Sequence, residues 1–251
     1  MAPKVYIIIY SLYHHVHTLS LSIKKGVEAS GAEATIFQVP ETLSDEVLQK
    51  MHAPPKPDLP VISVDDLKDA DGFLFGIPTR YGTMPAQMKA FFDATGQLWA
   101  TGALAGKFVG TFYSTGGQHG GQETTAFTAI TNFTHHGMNY VPLGFANELM
   151  FDTTEVMGGS PYGAGTIANG DGSRQPSQKE LAIAVTQGEN FGKLLSIMEK
   201  GKQIQEKPAA RAPTSVIETR ESIQVEREKR KSNSKTRELK KEKEPSKCFC
   251  M

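Results

Sequence analysis

The sequence predicts an α/β fold, a doubly wound five-stranded parallel sheet. Three uncharged apolar runs, at residues 5–10, 72–77 and 108–113, each end at a loop rich in hydroxyl, glycine or aromatic residues. Buried parallel strands are near-continuous apolar runs, and open α/β folds bind their ligands beyond the carboxyl ends of the strands. We therefore expect the three loops to meet at one edge of the sheet and to bind a flat, phosphorylated ligand.

Helix and strand signals alternate after the first run, as they do in parallel sheets covered on both faces. A helix is predicted over 17–30, with apolar residues four positions apart and a stop at Gly31. The second strand covers about 34–39. An insert over 40–60 then carries a short helix near 44–51 and a proline-rich piece.

The alternation continues through the second half of the body. The third strand is followed by a helix over 85–95, and the fourth strand by a helix over 123–136. The fifth strand is predicted at 140–143. A long loop over 147–176 then leads to a last helix, whose start is marked by an S-x-x-E capping box at Ser177.

Charge divides the chain into two parts. Residues 1–199 carry 12 Lys and Arg against 19 Asp and Glu, whereas residues 200–251 carry 15 against 8. The second part has no apolar periodicity and is dominated by charged residues, Ser and Pro, a composition typical of disorder. We predict a folded domain over 1–200 and a disordered basic tail over 201–251. Interspersed Glu and a single aromatic residue in the tail argue against nucleic-acid binding.

The two cysteines, Cys248 and Cys250, both lie in the tail. No disulfide can link parts of the body, which fits a reducing compartment. The last four residues resemble a C-a-a-X box, which predicts farnesylation of Cys248; palmitoylation of both cysteines and an unmodified tail are the alternatives. A lipid together with the basic tail would hold the chain on an anionic membrane surface. We find no signal peptide and no apolar run of membrane-spanning length.

The loop after the first strand is a candidate phosphate site. Its amide groups lie at a helix N-terminus, where they favour an anion, although a plain capped turn is the alternative. The histidines His14, His15 and His17 lack metal-ligand spacing, so we predict no metal. Residues 163–168 match a dinucleotide fingerprint by letters, but they follow no predicted strand and open no helix, and we reject that motif.

Trp99 and the pair His135 and His136 each have two interpretations. A lone tryptophan is more often a core residue than a ligand platform, but Trp99 lies between two candidate binding loops. The histidines end a predicted helix, where they favour the helix dipole; one of them could instead face the ligand. The spacing alone leaves both pairs of alternatives open.

Six motifs carry a family resemblance over residues 4–199. They read PTRYG at 78–82, GQLWA at 96–100, GGQET at 120–124, HHGM at 135–138, GGSPYGA at 158–164 and GDGSRQP at 170–176. Together they resemble the WrbA-type NAD(P)H:quinone oxidoreductases, whose fold is flavodoxin-like. The tailed form resembles a fungal branch found at the cytosolic face of the plasma membrane. A cytoplasmic protein, peripheral on the inner face of that membrane by a lipid anchor, is therefore expected.

The resemblance implies FMN as cofactor and NAD(P)H as co-substrate. The phosphate would be bound by the first loop, formed by Ser11, Leu12, Tyr13, His14, His15 and Val16. The isoalloxazine would lie between two further loops with His135 nearby. The second loop is Thr79, Arg80, Tyr81 and Gly82. The third loop is Ser114, Thr115, Gly116, Gly117, Gln118, His119, Gly120 and Gly121.

The family reaction implied is the two-electron reduction of a quinone, with the flavin carrying the chemistry and the protein supplying position and electrostatics. By the same analogy Tyr13 approaches the nicotinamide nucleotide and Trp99 lines the quinone pocket, across a subunit boundary in a tetramer or dimer. A function of a different class is a flavodoxin-like membrane scaffold or stress-associated protein with little turnover.

One departure from the family favours that alternative. The phosphate loop of the family reads Ser-x-Tyr-Gly-His, whereas here His14 replaces the glycine. If that position needs a positive φ, a residue other than glycine costs on the order of 1 kcal/mol. We therefore hypothesise that FMN binds more weakly here than in family members that keep the glycine.

Overall fold

The parallel sheet at the centre of the molecule follows the doubly wound order. The computed structural model describes residues 2–206. The strands are β1 (Lys4–Ile9), β2 (Glu33–Gln38), β3 (Gly72–Pro78), β4 (Phe108–Thr115), β5 (Asn139–Tyr140) and β6 (Gly165–Ile167). Their order is β2-β1-β3-β4, with β5 and β6 both beside β4. Because the order reverses between β1 and β3, a crevice for a ligand lies at their carboxyl ends. The predicted five-stranded, doubly wound arrangement is confirmed.

Two short strands share the fifth position of the sheet. β5 pairs with the start of β4, where Phe108 lies opposite Asn139, and β6 pairs with its end, where Tyr113 lies opposite Gly165. The prediction of one strand at 140–143 followed by an unbroken loop is therefore wrong. β6 lies within the segment that we expected to contain no strand. Three residues are too few to produce a periodic signal, so only pairing with β4 defines this strand.

Helices cover both faces of the sheet. They are α1 (His15–Ala29), α2 (Asp45–Lys50), α3 (Ala86–Asp93), α4 (Gly96–Ala100), α5 (Gln122–His135) and α6 (Gln178–Glu206), with short 3₁₀ helices at Asp65–Lys68 and Glu148–Phe151. One core contains Phe75 of β3 with Phe92 of α3 and Phe133 of α5. The other contains Leu19 and Phe191, on α1 and α6. The predicted helix over 85–95 is thus α3, and α4 follows it directly.

Glycines allow α1 and α6 to cross in backbone contact. A Cβ on Gly26 would lie 2.0 Å from the carbonyl oxygen of Val185, and one on Gly188 would lie 2.1 Å from that of Ile23. No larger side chain fits at either position, because the obstructing atoms are backbone. This contact fixes α1, and with it the loop that precedes the helix.

The last helix is longer than predicted. It continues to Glu206, whereas we expected disorder from Gly201. Most of the residues after Gly201 are good helix formers, but they form no apolar stripe, so periodicity gives no signal there.

The chain divides into two units, residues 1–201 and 202–251. Most of the predicted disordered tail, and the predicted lipidation sites Cys248 and Cys250, lie outside the described residues. Within residues 2–206, no helix combines the length and the apolar character that crossing a membrane requires.

Candidate functional site

A cavity of about 460 Å³ lies beyond the carboxyl ends of β1, β3 and β4. This volume is within the range of small-molecule and cofactor sites, roughly 300–1,000 Å³. The three predicted loops all contribute to its lining. The predicted residues that line it are Ser11, Leu12, Tyr13, His15, Val16, Thr79, Arg80, Ser114, Thr115 and Gly116.

The first loop presents the N-terminus of α1 to the cavity. The N-cap residue, His14, forms no side-chain cap, and the first turn contains no acidic residue. The Ser11 hydroxyl accepts a hydrogen bond from the amide of His17 at 3.2 Å. The remaining first-turn amides have no intrahelical acceptor, and the helix dipole adds a partial positive charge. The loop is therefore suited to a phosphate group.

His14 has a left-handed backbone, with φ 67° and ψ −3°. The positive φ that we considered for this position is thus present, and histidine adopts it at a cost. Its Nε2 lies 2.9 Å from the carbonyl oxygen of Pro55, and the residue does not line the cavity. Burial, and to a smaller extent the neighbouring His14, lowers the pKa of His17.

The second loop places an arginine in the cavity. Arg80 Nη1 donates to the carbonyl oxygen of Thr79 at 2.8 Å, and the backbone amide of Arg80 donates to Thr83 at 2.8 Å. The Thr79 hydroxyl lies 2.7 Å from that of Thr125 on α5. Within residues 2–206 the guanidinium of Arg80 forms no ion pair, so its charge is available to an anionic or electron-rich ligand.

Tyr81 and Gly82 do not line the cavity, although both were predicted to contact the flavin. Tyr81 has φ 54° and a fully exposed side chain, and Gly82 has φ 76°. A Cβ on Gly121 would lie 2.9 Å from the Cα of Gly82, so the second and third loops touch through backbone atoms. Residues other than glycine are strained in the left-handed conformation, and such residues concentrate at functional sites. We therefore assign Tyr81 to the exposed rim of the cavity.

Only the first part of the third loop reaches the cavity. The predicted residues Gly117, Gln118, His119, Gly120 and Gly121 are not part of the lining. They form a turn, closed by the hydrogen bond from Gly120 to Gly117 at 3.0 Å, that leads into α5. Gln118 instead borders a second cavity of about 350 Å³, beside Phe145 and Met150.

The cavity has a fourth wall that was not predicted. It consists of residues 168–172, which follow β6, and Met51 and Pro78 also line the cavity. His15 Nε2 lies 3.0 Å from the carbonyl oxygen of Arg174, which ties this wall to the phosphate loop. The GDGSRQP motif was available as a signal, but without β6 nothing placed it at the carboxyl edge.

Trp99 and His135 do not line the first cavity. Together with His136 they line a third cavity, of about 290 Å³. This cavity lies at the amino edge of the sheet, because α5 runs antiparallel to the strands and His135 is its last residue. The expectation that His135 lies near the flavin loops is therefore wrong within a single chain. Trp99 is 59% exposed, so it is not a core residue.

His136, the neighbour of His135, is buried against α4. Its Nε2 lies 2.8 Å from the Thr95 hydroxyl, and its Nδ1 has no hydrogen-bond partner among residues 2–206. Burial, with a smaller effect of His135, lowers the pKa of His136. In the same part of the chain, no group of three or more His, Cys, Asp and Glu side chains is arranged to hold a metal ion.

Residues 4–149 match the family described as NADPH-dependent FMN reductase. The chain belongs to this family. The FMN reductase family consists of oxidoreductases, so the predicted enzyme class is confirmed.

Two relatives match a larger share of the chain than the family model does. NAD(P)H quinone oxidoreductase PST3 of Candida albicans is 59% identical over 198 residues, which are 78% of this chain and 100% of the relative. Quinone-oxidoreductase QR2 of Triphysaria versicolor is 62% identical over 190 residues, 75% of this chain and 93% of the relative. The resemblance to NAD(P)H:quinone oxidoreductases is therefore confirmed.

A solved structure supports the fold. The flavodoxin WrbA-like protein of Agrobacterium tumefaciens superimposes with a TM-score of 0.56 at 19% identity, covering 78% of this chain and 99% of that chain. The predicted flavodoxin-like fold is thus confirmed.

Proposed function

We propose that this FMN reductase family member is an FMN-dependent NAD(P)H:quinone oxidoreductase. The observation that carries the proposal is the cavity itself. A helix N-terminus, hydroxyl groups and Arg80, which forms no ion pair among residues 2–206, line it at the switch point of a doubly wound sheet. NAD(P)H and a proton together supply two electrons and two protons to a quinone, which becomes a hydroquinone.

FMN is the cofactor, and the residues present fit it. The amides of the first turn of α1 and the Ser11 hydroxyl suit the phosphate, while Thr79 and residues 114–116 suit the polar edge of a flat ring. When bound, FMN supplies a site that accepts a hydride and releases two electrons.

The protein's own residues position the ligands in the cavity and polarise them. Arg80 places a positive charge in the cavity, held by its bond to the carbonyl oxygen of Thr79, and so stabilises negative charge that forms there. The buried hydroxyl of Thr115 donates to the carbonyl oxygen of Gly117 at 2.9 Å and holds the turn of the third loop, while the backbone of Ser114 and Thr115 pairs with β6. The exposed Tyr81, which follows the lining residue Arg80, borders the opening through which substrates enter.

A homo-oligomer, tetramer or dimer, is part of the proposal. Within one chain Trp99 and His135 lie at the opposite edge of the sheet from the flavin cavity. A role for Trp99 in the quinone pocket therefore requires a second copy of the chain. The exposure of Trp99, and the full exposure of Tyr81, support an arrangement in which a second copy covers both.

We also propose that the enzyme is attached to the inner face of the plasma membrane. The support is the basic composition of residues 200–251 and the cysteines Cys248 and Cys250. Mass spectrometry of the protein from a eukaryotic host would identify the lipid. Recovery of an unmodified, wholly cytosolic chain, with both cysteines as free thiols, would contradict the anchor.

The function is tested with the purified full chain. We expect stoichiometric FMN binding, and oxidation of NADH or NADPH with benzoquinone well above the rate of free FMN. Arg80→Met should lower kcat by about tenfold or more, whereas Lys193→Met, which removes an exposed cation on α6, should not. A wild-type rate no higher than that of free FMN would reject the enzyme and favour the scaffold.

A further inference from the structure

The insert after β2 contains a segment that is bound to the phosphate loop. We call this segment, residues 51–57, the strap; it includes three prolines, Pro54, Pro55 and Pro57. Proline restricts the backbone in both the folded and the unfolded chain. The strap is therefore stiff, and its position depends on the contacts that hold it.

Two consecutive residues of the phosphate loop hold the strap. The Tyr13 hydroxyl donates to the carbonyl oxygen of Met51 at 3.0 Å, and His14 Nε2 lies 2.9 Å from that of Pro55. Both acceptors are backbone atoms, so these contacts fix the path of the strap rather than its side chains. His14 makes this contact from its left-handed backbone, and the replacement of the family glycine thus supplies a side chain that reaches the strap.

Further contacts hold the strap from the sheet side. Lys56 Nζ lies 2.5 Å from Glu41 Oε2 and 4.5 Å from the ring centre of Tyr10, at the end of β1. The Gln38 amide donates to the carbonyl oxygen of Pro57 at 3.3 Å. The strap is thus anchored both to β2 and to the residues that follow β1.

The strap also forms part of the cavity wall, because Met51 lines the cavity beside Tyr13. Because the Tyr13 hydroxyl bonds the backbone of Met51, this part of the wall adjoins the first loop, which is the loop proposed to bind the phosphate. In a ligand whose phosphate binds at the N-terminus of α1, the phosphate end therefore faces the strap. A dinucleotide would need to continue from that phosphate through the space that the strap occupies.

We propose that the strap closes the phosphate end of the cavity, and that Tyr13 and His14 are specificity-determining residues that hold it there. The site then admits a flavin that ends in one phosphate ester, FMN, and excludes the dinucleotide FAD. This inference rests on the proposed function, since it takes the first loop as the phosphate site. FMN is preferred over FAD because the additional nucleotide of FAD would clash with the strap, so specificity arises by exclusion.

The experiment compares flavins on the full chain. FMN, FAD and riboflavin are titrated by flavin fluorescence against the wild type and against Tyr13→Phe/His14→Asn. Phenylalanine removes only the hydroxyl, and asparagine tolerates the left-handed backbone but is too short to reach Pro55. We expect the wild type to bind FMN about 100-fold more tightly than FAD, and the double variant to narrow that ratio by about tenfold or more.

Matched controls are available in the same chain. Tyr6→Phe removes a hydroxyl outside the cavity, and His52→Asn changes a histidine of the strap that also has a positive φ, 51°, but does not anchor it. Both should keep the wild-type FMN to FAD ratio. Lys56→Met releases the strap from Glu41 instead of from the phosphate loop, and it tests the same ratio if the double variant does not fold.

The outcomes separate the two proposals. Stoichiometric FMN binding with poor FAD binding, lost in the strap variants alone, supports the inference. Equal affinity of the wild type for FMN and FAD overturns it and leaves the proposed function standing. The same follows if the strap variants keep the wild-type ratio, because the phosphate loop alone would then discriminate. A wild type that binds no flavin overturns both.

Discussion

Arg174 donates to Glu180 across 3.0 Å, between Nη1 and Oε2, and the carboxylate is completely buried. Glu180 also accepts from the amides of Gly158 and Ser177, and from the hydroxyl of Thr166. One carboxylate on α6 thus joins the segment before β6, β6 itself and the start of the helix. The carbonyl oxygen of Arg174 also lies within hydrogen-bond distance of His15 Nε2. The Glu180 carboxylate therefore supports the fourth wall of the cavity through Arg174.

Replacing Glu180 by alanine should destabilise the protein strongly. Removal of the carboxylate leaves the guanidinium of Arg174 without its ion-pair partner and several buried donors without an acceptor, and breaking a buried pair typically costs about 3–5 kcal/mol. We expect that loss in urea unfolding, together with weaker FMN binding. Glu189→Ala is the control: Glu189 pairs with Lys193 at the surface, where an ion pair contributes about 1 kcal/mol or less. Equal effects of the two substitutions would contradict the role of Glu180.

A methyl group on Gly188 should separate α1 from α6. Its Cβ would lie 2.1 Å from the carbonyl oxygen of Ile23, and overpacking of this kind costs at least about 1–3 kcal/mol. Gly201→Ala is the matched control on α6. It meets nothing within 4 Å and should stabilise the helix by up to about 1 kcal/mol. Thermal unfolding measures the difference in stability between the two variants. A Gly188→Ala variant as stable as the wild type would contradict the close crossing of α1 and α6.

Glu41 should make stability depend on pH in the acid range. Burial raises its pKa, but the hydrogen bond from Lys56 and the backbone amides of Leu43 and Thr42 outweigh burial and lower the pKa from 4.5 to about 2. A carboxylate with a lowered folded pKa stabilises the protein above its unfolded pKa. This stabilisation is lost as the pH falls from about 4.5 to about 2.

The test of this pH dependence is the difference in unfolding free energy between the wild type and Glu41→Gln. The difference should be large at pH 7 and should shrink between about pH 4.5 and 2. Glu46→Gln serves as control, because Glu46 is exposed and, among residues 2–206, forms an ion pair only with Lys50. A difference that stays constant across this range would show that Glu41 is not the group that titrates.

The hypothesis that His14 weakens FMN binding stays a prediction. A glycine at this position lets the loop adjust around a phosphate without the strain of a left-handed histidine, which is on the order of 1 kcal/mol. We expect His14→Gly to tighten FMN binding by up to about fivefold. His52→Gly relieves the same kind of strain away from the site and should leave the affinity unchanged. Identical FMN affinities for the wild type and His14→Gly would end the hypothesis.

The sequence by itself determined the fold class and three sides of the site. The runs that became β1, β3 and β4 are buried on both faces, so they lack charge and are visible as apolar segments. Parallel strands bring their carboxyl ends to one edge, and this geometry places Ser11, Thr79 and Ser114 together without further information. The family motifs added the oxidoreductase class, because they carry residue identities that periodicity does not.

Only the tertiary structure decided the rest. β6 has three residues, and its pairing with β4 rather than its own pattern makes it a strand, so the fourth cavity wall could not be placed from the sequence. His135 resembles a flavin neighbour by motif, but the direction of α5 carries it to the opposite edge. The strap depends on contacts between Tyr13 or His14 and residues about forty positions away. Contacts between distant positions leave no periodic mark, because they arise only when the chain has folded.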